Sequence, residues 1–429
     1  METIYALATA PGKAGVAVIR ISGPEANRIA TALAGDLPCV GAARVRNFRD
    51  RRGVPLDSGL VLRFTAPNSF TGEDVVELQT HGSPASVKAV LTAIEATGLA
   101  RLADPGEFTR RALENDRMDL AQVEGLADLI DAETEAQRAQ ALRVLSGALG
   151  DLVERWRSDL LRATALLEVT IDFADEDVPV DVGPEVRDLL FGVISALRRE
   201  IAGVAVAERI RDGFEVAILG APNAGKSTLL NMLAGREAAI TSDIAGTTRD
   251  VIEVRMDLRG LPVTFLDTAG LREGRDAIER IGIDRAMARA DAADIRVFLK
   301  SAPDEVPLVA LRDGDVVLQG KGDLFPDVPA GISGTTGKGV QELIDTLTST
   351  LETRTARQAT ATHIRHQHAM EAASTSLEKA VCEIEAGSDR TELAAEHLRH
   401  AIRRLDALVG RLDVETVLGE IFSRFCLGK

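Results

Sequence analysis

The sequence predicts a multidomain α/β protein: an N-terminal α+β domain, an all-α helical domain, and a parallel-sheet α/β domain inserted into the helical one. Three changes in hydrophobic texture predict it, at Met118, at Phe214 and after Thr355. A chain of 429 residues has room for about two to four domains. The expected boundaries are 1–117, 118–212, 213–355 and 356–429.

Residues 1–117 mix short β-like runs with Gly/Pro turns. GVAVIRISG (15–23), LDSGLVLRF (56–64) and DVVELQTHG (74–82) alternate as strands do, and SPASVKAVLTAIEATG (83–98) carries a helical pattern. From Met118 glycine becomes scarce. Leu120, Val123, Leu126, Ala127 and Ile130 recur three and four apart, as do Leu149, Leu152, Val153, Trp156 and Leu160. The loop FADEDVPVDVGP (173–184) interrupts this pattern, which resumes to about Arg211. Phe214–Leu219 then reads as a buried strand, followed by alternating strand and helix signals to about Leu351. Beyond Thr355 the chain is helical, with Leu398, Ala401, Ile402, Leu405, Leu408, Val409 and Leu412 on one stripe. This tail is expected to pack with helices 118–211, although a short linker to a separate bundle reads alike.

Composition narrows the function classes. Hydrophobic residues make up 45% and charged residues 27%, which excludes a mostly disordered or low-complexity chain. Aromatics are 3%, too few for a base-stacking platform. A net charge of −16 repels nucleic acid on average, so contact with RNA must use a local patch or a partner. Cys39, Cys382 and Cys426 are few and far apart, which fits a reducing compartment rather than a disulfide framework. The N-terminus lacks a signal-peptide pattern and no long uncharged apolar stretch occurs. A cytoplasmic protein without a membrane segment is expected.

The chemistry concentrates in the inserted domain. Gly220-Ala-Pro-Asn223-Ala224-Gly225-Lys226-Ser227 follows a strand and opens the helix STLLNMLAG, matching G-x-x-x-x-G-K-[ST]. Such a loop turns N–H groups toward phosphate oxygens, and the helix N-terminus that begins at Ser227 and Thr228 adds positive potential. Lys226 is placed for the β- and γ-phosphates, and Ser227 for Mg²⁺. Val-Thr-Phe-Leu-Asp267-Thr268-Ala269-Gly270 ends a strand with a carboxylate for the Mg²⁺ shell and a glycine N–H for the γ-phosphate. Between these lies Gly246-Thr247-Thr248-Arg249-Asp250, a polar loop that can present a threonine hydroxyl to Mg²⁺. The order of these three motifs resembles the translation-factor-related branch of Ras-like GTPases.

Two departures stand out. Leu271 occupies the position after the D-x-x-G motif where a glutamine orients the attacking water in Ras-like proteins. Stabilising the transition-state charge with an arginine is worth roughly 10³–10⁵-fold, so other groups must supply it here. Asn223 can offer a carbonyl oxygen to a monovalent cation beside the phosphates, and Glu279 can orient water. From its own surroundings, Glu279 also reads as a solvated helix carboxylate. The second departure lies in base recognition, where N-K-x-D is expected and Gly320-Lys321-Gly322-Asp323 stands. Asp323 can accept the two guanine N–H donors and the Lys321 stem can cover the ring. Ser333, Gly334 and Thr335 form the base-side loop after the next strand. The absent asparagine removes one hydrogen-bonding side chain, worth roughly 0.5–1.5 kcal/mol. On the sequence alone, Gly320→Asn is expected to tighten GDP binding.

The resemblance extends past the nucleotide domain. PGKAGVAVIRISG (11–23), APNSFTGEDVVELQTHG (66–82), PGEFTRRALENDRMDLAQVEGLADLIDAET (105–134) and the terminal Phe425-Cys426-Leu427-Gly428-Lys429 resemble the MnmE (TrmE) family of tRNA-modifying GTPases from end to end. The resemblance implies a folate-binding, dimer-forming N-terminal domain, a helical domain and an inserted Ras-like P-loop G domain. It further implies a heterotetramer with the flavoprotein MnmG, in which methylene- or formyl-tetrahydrofolate supplies carbon for a (carboxymethyl)aminomethyl group on C5 of the wobble uridine. It implies K⁺ held by Asn223, Ser242, Ile244 and Thr247, with Asp243, Ala245 and Gly246 lining the same GTP-contacting loop. Mg²⁺ is implied at Ser227 and Thr248, and Glu279 as the water-orienting carboxylate. For folate it implies Arg20, Glu77, Arg117 and Lys429, with Cys426 assisting methylene transfer. By chemistry alone Arg20 also reads as a strand-edge charge, and Cys426 as a packed thiol. His363, His366 and His368 read as a polar, exposed segment rather than a metal site. The rivals are a ribosome-assembly GTP switch, disfavoured by the absence of a basic appendage, and a nucleotide-binding scaffold with relaxed base specificity, motivated by Gly320.

Overall fold

The computed structural model describes residues 1–172, 182–236, 238–240, 253–267, 288–307, 310–356, 359–411 and 428. The expected loop 173–184 lies almost wholly outside these residues. The chain divides into two compact units, residues 1–127 with 406–429, and residues 128–405.

In the first unit, β1 (Ile4–Leu7), β2 (Ala14–Ser22), β3 (Ala43–Arg49), β4 (Pro55–Phe64), β5 (Val75–Gly82) and β6 (Arg101–Leu102) form one sheet in the order β3-β4-β5-β2-β1-β6. All pairs are antiparallel except β1 with β6. The period-two alternation of the sequence sorts side chains onto two faces. Ile19, Ile21, Val76 and Leu78 pack against Ile29 and Leu33 of α1 (Ala26–Ala34) and Val90 and Ile94 of α2 (Pro84–Glu95). A smaller cluster of Ile4, Ala6, Ala103 and Phe108, with Phe70 against it, forms separately. Phe108 belongs to α3 (Glu107–Glu114). The sequence showed α2 and the three longest strands but not α1, whose nine residues hold no distinctive cap.

A buried ionic cluster ties α3 to the sheet. Glu107 receives hydrogen bonds from Arg101 at 2.7 and 2.8 Å and from Arg111 at 2.9 Å. Arg111 also reaches Glu73 at 3.0 Å, which accepts from Ser22 of β2 at 2.7 Å. Burial pushes the Glu107 carboxyl up, but the Arg101 hydrogen bonds, the Asp104 amide and Arg111 outweigh it and hold its pKa at about 2. An uncompensated charge here is costly, so the cluster stands or falls together.

In the second unit, β7 (Phe214–Gly220), β8 (Glu253–Leu258), β9 (Leu261–Asp267), β10 (Ile295–Lys300) and β11 (Val316–Gln319) lie in the order β11-β10-β7-β9-β8. Only β8 runs antiparallel, at the edge. The long stretch of buried residues in β9 and β10 follows from coverage on both faces. The helices α4 (Leu120–Asp131), α5 (Glu135–Leu145), α6 (Ala148–Asp172) and α7 (Gly183–Asp212) precede β7 in the chain. The core of this sheet joins Leu229, Leu230 and Leu233 of α8 (Lys226–Ala234) to Leu343, Leu347 and Leu351 of α9 (Val340–Thr355). Ile210 belongs to the same core. It lies on the helix Gly183–Asp212, which also packs against Ala148–Asp172 and against Ile364–Ala386. In the helix Thr391–Leu408, Leu398, Ala401 and Leu405 of the expected stripe are buried. Among the described residues, no helix is long and apolar enough to cross a membrane.

One expectation needs correction. His366 is fully buried and His363 half-buried, so this segment is not a solvated face. His366 Nδ1 accepts from the Thr362 and His363 amides at 3.3 Å, while His363 Nε2 lies 3.2 Å from Asp128. Only His368 is exposed. The bonds involve Asp128 and Arg211, residues far away in sequence, which is why local polarity misled.

A carboxyl with a folded pKa of about 2 and an unfolded value of 4.5 stabilises the fold above pH 4.5, and this support disappears as pH falls toward 2. Glu107→Gln should lower stability at neutral pH by on the order of 2–3 kcal/mol and flatten its dependence across that window. Urea midpoints measured from pH 2 to 7 check this.

Candidate nucleotide-binding site

Parallel strands place their carboxyl ends along one rim, and the order β10-β7-β9 puts β7 where the connections diverge to either side. That is where an open α/β sheet forms a ligand crevice. The loop leaving β7 turns through Asn223 at φ 65° and Gly225 at φ 100° into α8. Asparagine is among the few side chains that accept this left-handed region readily. The first turn of α8 then directs free N–H groups into the crevice.

Lys226 is buried, and its Nζ donates to the carbonyls of Gly220 at 2.7 Å and Ala221 at 2.9 Å. Burial pushes its pKa down, opposed by the Asp267 and Glu305 carboxylates. The ammonium therefore rests against the loop it opens onto. The Ser227 hydroxyl donates to Asp267 Oδ2 at 3.0 Å, joining the start of α8 to the end of β9. A hydroxyl beside a carboxylate is a hard-oxygen set suited to Mg²⁺.

The base side forms a second wall. One pocket is lined by Ala224, Gly225, Thr228, Lys321, Asp323, Ser333, Gly334 and Thr335, together with Leu299, Gly320, Leu324 and Ile332. Thus the phosphate loop and both predicted base loops meet. Lys321, at φ 53°, carries its Cγ over Gly225. Ser333 is buried, and its Oγ accepts from the Thr335 and Thr336 amides at 3.3 and 3.2 Å. With its lone pairs so engaged, the hydroxyl donates to Asp323. That bond, with the residue's own amide and the Lys338 and Lys321 charges, holds the Asp323 carboxyl below its usual range. It is ionised at neutral pH and fit to accept two N–H donors.

Gly334 permits this arrangement by close approach: a Cβ there would lie 2.6 Å from the Thr228 and Leu229 main chain. Gly320 does the same more severely, since a Cβ would lie 2.1 Å from the Ala224 carbonyl oxygen. The expectation that Gly320→Asn tightens GDP is therefore corrected. The main chain already occupies the volume the asparagine needs.

Of the residues singled out in the sequence, Ser242, Asp243, Ile244, Ala245, Gly246, Thr247, Thr248, Thr268, Ala269, Gly270, Glu279, Cys426 and Lys429 lie outside the described residues. Sequence reasoning missed the apolar walls Leu299, Leu324 and Ile332. Leu299 and Ile332 sit at or just beyond strand ends, a signal that was present but not specific.

In the first unit, Arg20 and Glu77 are register partners across β2 and β5, and their side chains pair at 2.9 Å, both largely buried. Because β2 is an interior strand, the strand-edge reading of Arg20 is wrong. Its guanidinium lies over the rings of Phe70 at 4.9 Å and Phe108 at 5.7 Å, contacts with no signal in the neighbouring residues. The exposed Arg117 lays its stem beside Gly72. Gly428 is buried against the main chain of Leu7 and Ala8, and Leu7 pairs with Ile19 beside Arg20.

Comparison with known proteins agrees with this architecture. The family model described as GTP-binding protein TrmE N-terminus matches residues 3–117, and that described as MnmE helical domain matches residues 120–426. A tRNA modification GTPase MnmE from a Ruegeria species is 61% identical over the whole of both chains. Proteins of the same description from Roseobacter denitrificans and Cereibacter sphaeroides are 59% and 60% identical, again over the whole of both chains. The chain belongs to the MnmE family of tRNA modification GTPases.

Proposed function

We propose that this protein hydrolyses GTP in the service of tRNA modification, and that the hydrolysis depends on K⁺ and on pairing of two nucleotide domains. The observation that carries the GTP reading is the convergence of a Ser333-bonded, ionised Asp323 with the phosphate loop in one crevice. Full-length identity to proteins described as tRNA modification GTPases supports the process.

In this reading Ser227 and Thr248 would hold Mg²⁺, which would supply positive charge to the phosphate oxygens. Lys226 leaves the Gly220 and Ala221 carbonyls for the phosphates. Leu271 cannot orient water, so Glu279 does. The Asn223 carbonyl oxygen, with Ser242, Ile244 and Thr247, would hold K⁺, and its charge would stand in for an arginine's. Asp243, Ala245, Gly246, Thr268, Ala269 and Gly270 belong to the same proposed set of GTP-contacting residues. The four-part organisation with a G domain at 213–355 belongs to the same proposal.

The N-terminal domain dimerises and binds methylene- or formyl-tetrahydrofolate through Arg20, Glu77, Arg117 and Lys429. A carboxylate suits the guanidine-like edge of a pterin, and cations suit its glutamate tail. Supporting this, Arg20 is already paired with Glu77 and lies over two aromatic rings, and Gly428 lies against the main chain of the neighbouring strand. Cys426 assists transfer of the one-carbon unit. The flavoprotein MnmG is the partner, the two acting in the cytoplasm on C5 of the wobble uridine of certain tRNAs. Wobble-nucleoside analysis after deleting and restoring the gene tests the process, and unchanged nucleosides overturn it.

Glu279→Ala should abolish hydrolysis while GDP still binds; unchanged turnover in a phosphate-release assay removes its role. Asn223 is best tested as Asn223→Gly, because glycine accepts the same left-handed φ without strain. Turnover in KCl should then fall to its NaCl level. Ser333→Ala should return the Asp323 carboxyl toward its ordinary range and weaken GDP about tenfold, a loss typical of a hydrogen bond to a charged group. Calorimetric titration with GDP reads this directly.

A further inference from the structure

Position 320 carries glycine where a guanine-recognition motif is expected to carry asparagine. The neighbouring residue, Gln319, is equally unusual in its surroundings. It closes β11, is buried, and its Nε2 donates both to the Lys300 carbonyl at 3.1 Å and to the Gly320 carbonyl at 2.9 Å. The Lys300 carbonyl also accepts the Gly320 amide at 2.9 Å. The Gln319 main chain is bonded in both directions to the next segment, its amide to the Ala330 carbonyl at 3.0 Å and its carbonyl to the Ile332 amide at 2.8 Å. One residue therefore joins the end of β10, the loop leading to Asp323, and the loop bearing Ser333.

We propose that Gln319 and Gly320 act together in place of the missing asparagine. Gly320 seats the base loop directly on the Ala224 main chain of the phosphate loop, and the Gln319 carboxamide fixes the Gly320 carbonyl. Asp323 lies three residues further on, so its aim at the base is set from there. Gln319 is a positioning residue for guanine preference, and asparagine at 320 breaks the site that it would complete elsewhere. This inference rests on the GTP reading given above.

A purely structural role for Gln319 makes the opposite forecast. Its Oε1 is buried and finds no hydrogen-bond partner among the described residues, a costly state. Replacing the carboxamide by a methionine of similar length removes that unmatched acceptor together with the two Nε2 bonds, so the choice between guanine and hypoxanthine, rather than stability, separates a positioning role from a purely structural one.

The test uses full-length protein with Mg²⁺ and calorimetric titration with GDP, IDP and ADP. IDP lacks the 2-amino group, so the GDP-to-IDP affinity ratio reports the contact made by Asp323. Wild-type protein should prefer GDP over both. Gln319→Met should lower the GDP-to-IDP ratio at least threefold at a temperature well below its Tm. Both Gly320→Asn and the smaller Gly320→Ala should weaken GDP tenfold or more. A wild-type ratio in Gln319→Met, or GDP bound by Gly320→Asn as tightly as by wild type, overturns the inference and leaves the GTP reading intact. Should neither glycine variant fold, the Gln319→Met ratio decides alone. Wild-type protein that binds ADP as well as GDP removes the GTP reading itself, and the inference with it.

Discussion

The nucleotide crevice depends on main chain lying directly against main chain. At Gly320 and Gly334 two base-side segments approach the phosphate loop and the first turn of α8 more closely than any side chain permits. That approach brings a carboxylate from beyond β11 and a hydroxyl from the following loop to the helix that faces the phosphates. Hydrogen bonding then adds orientation. Two amides occupy the Ser333 oxygen so that its proton faces Asp323, and that bond helps hold the carboxyl below its usual range.

A comparable economy operates in the N-terminal sheet. Strand alternation sends Ile19 and Ile21 toward the two helices and leaves Arg20 with Glu77 beside the aromatic rings. A charge pair buried without more support is of little help to stability. Here the guanidinium also lies over two rings, and the nearby cluster of Arg101, Glu107, Arg111 and Glu73 shows that this part of the unit holds several ionised groups by mutual bonding.

What could be read in the sequence was whatever is encoded within a few neighbouring residues. The strand-loop-helix around Lys226, the Asp ending β9 and the Lys321/Asp323 pair are of this kind, and each lies where its spacing placed it. Gly320 was read as a deficit because the sequence shows which side chain is absent but not the Ala224 carbonyl that fills its place. Gln319 was passed over for the same reason, since its partners come from β10 and from its own successor. His363 and His366 looked solvated until Asp128 and Arg211 came into view. Arg20 looked peripheral because a strand does not announce whether it is central or at an edge.

The helix Gly183–Asp212 ends one residue before β7 begins, and the chain comes back beside it. The Ala359 amide reaches the Gly203 carbonyl at 3.4 Å and Arg211 donates to the Thr362 carbonyl at 2.9 Å. The nucleotide domain thus departs and rejoins at one doorway. Closing a long excursion costs only logarithmically in its length, so the bundle scarcely registers how large its guest is. Such a graft lets the catalytic insert be exchanged, trimmed or elaborated while the surrounding helices keep their own shape.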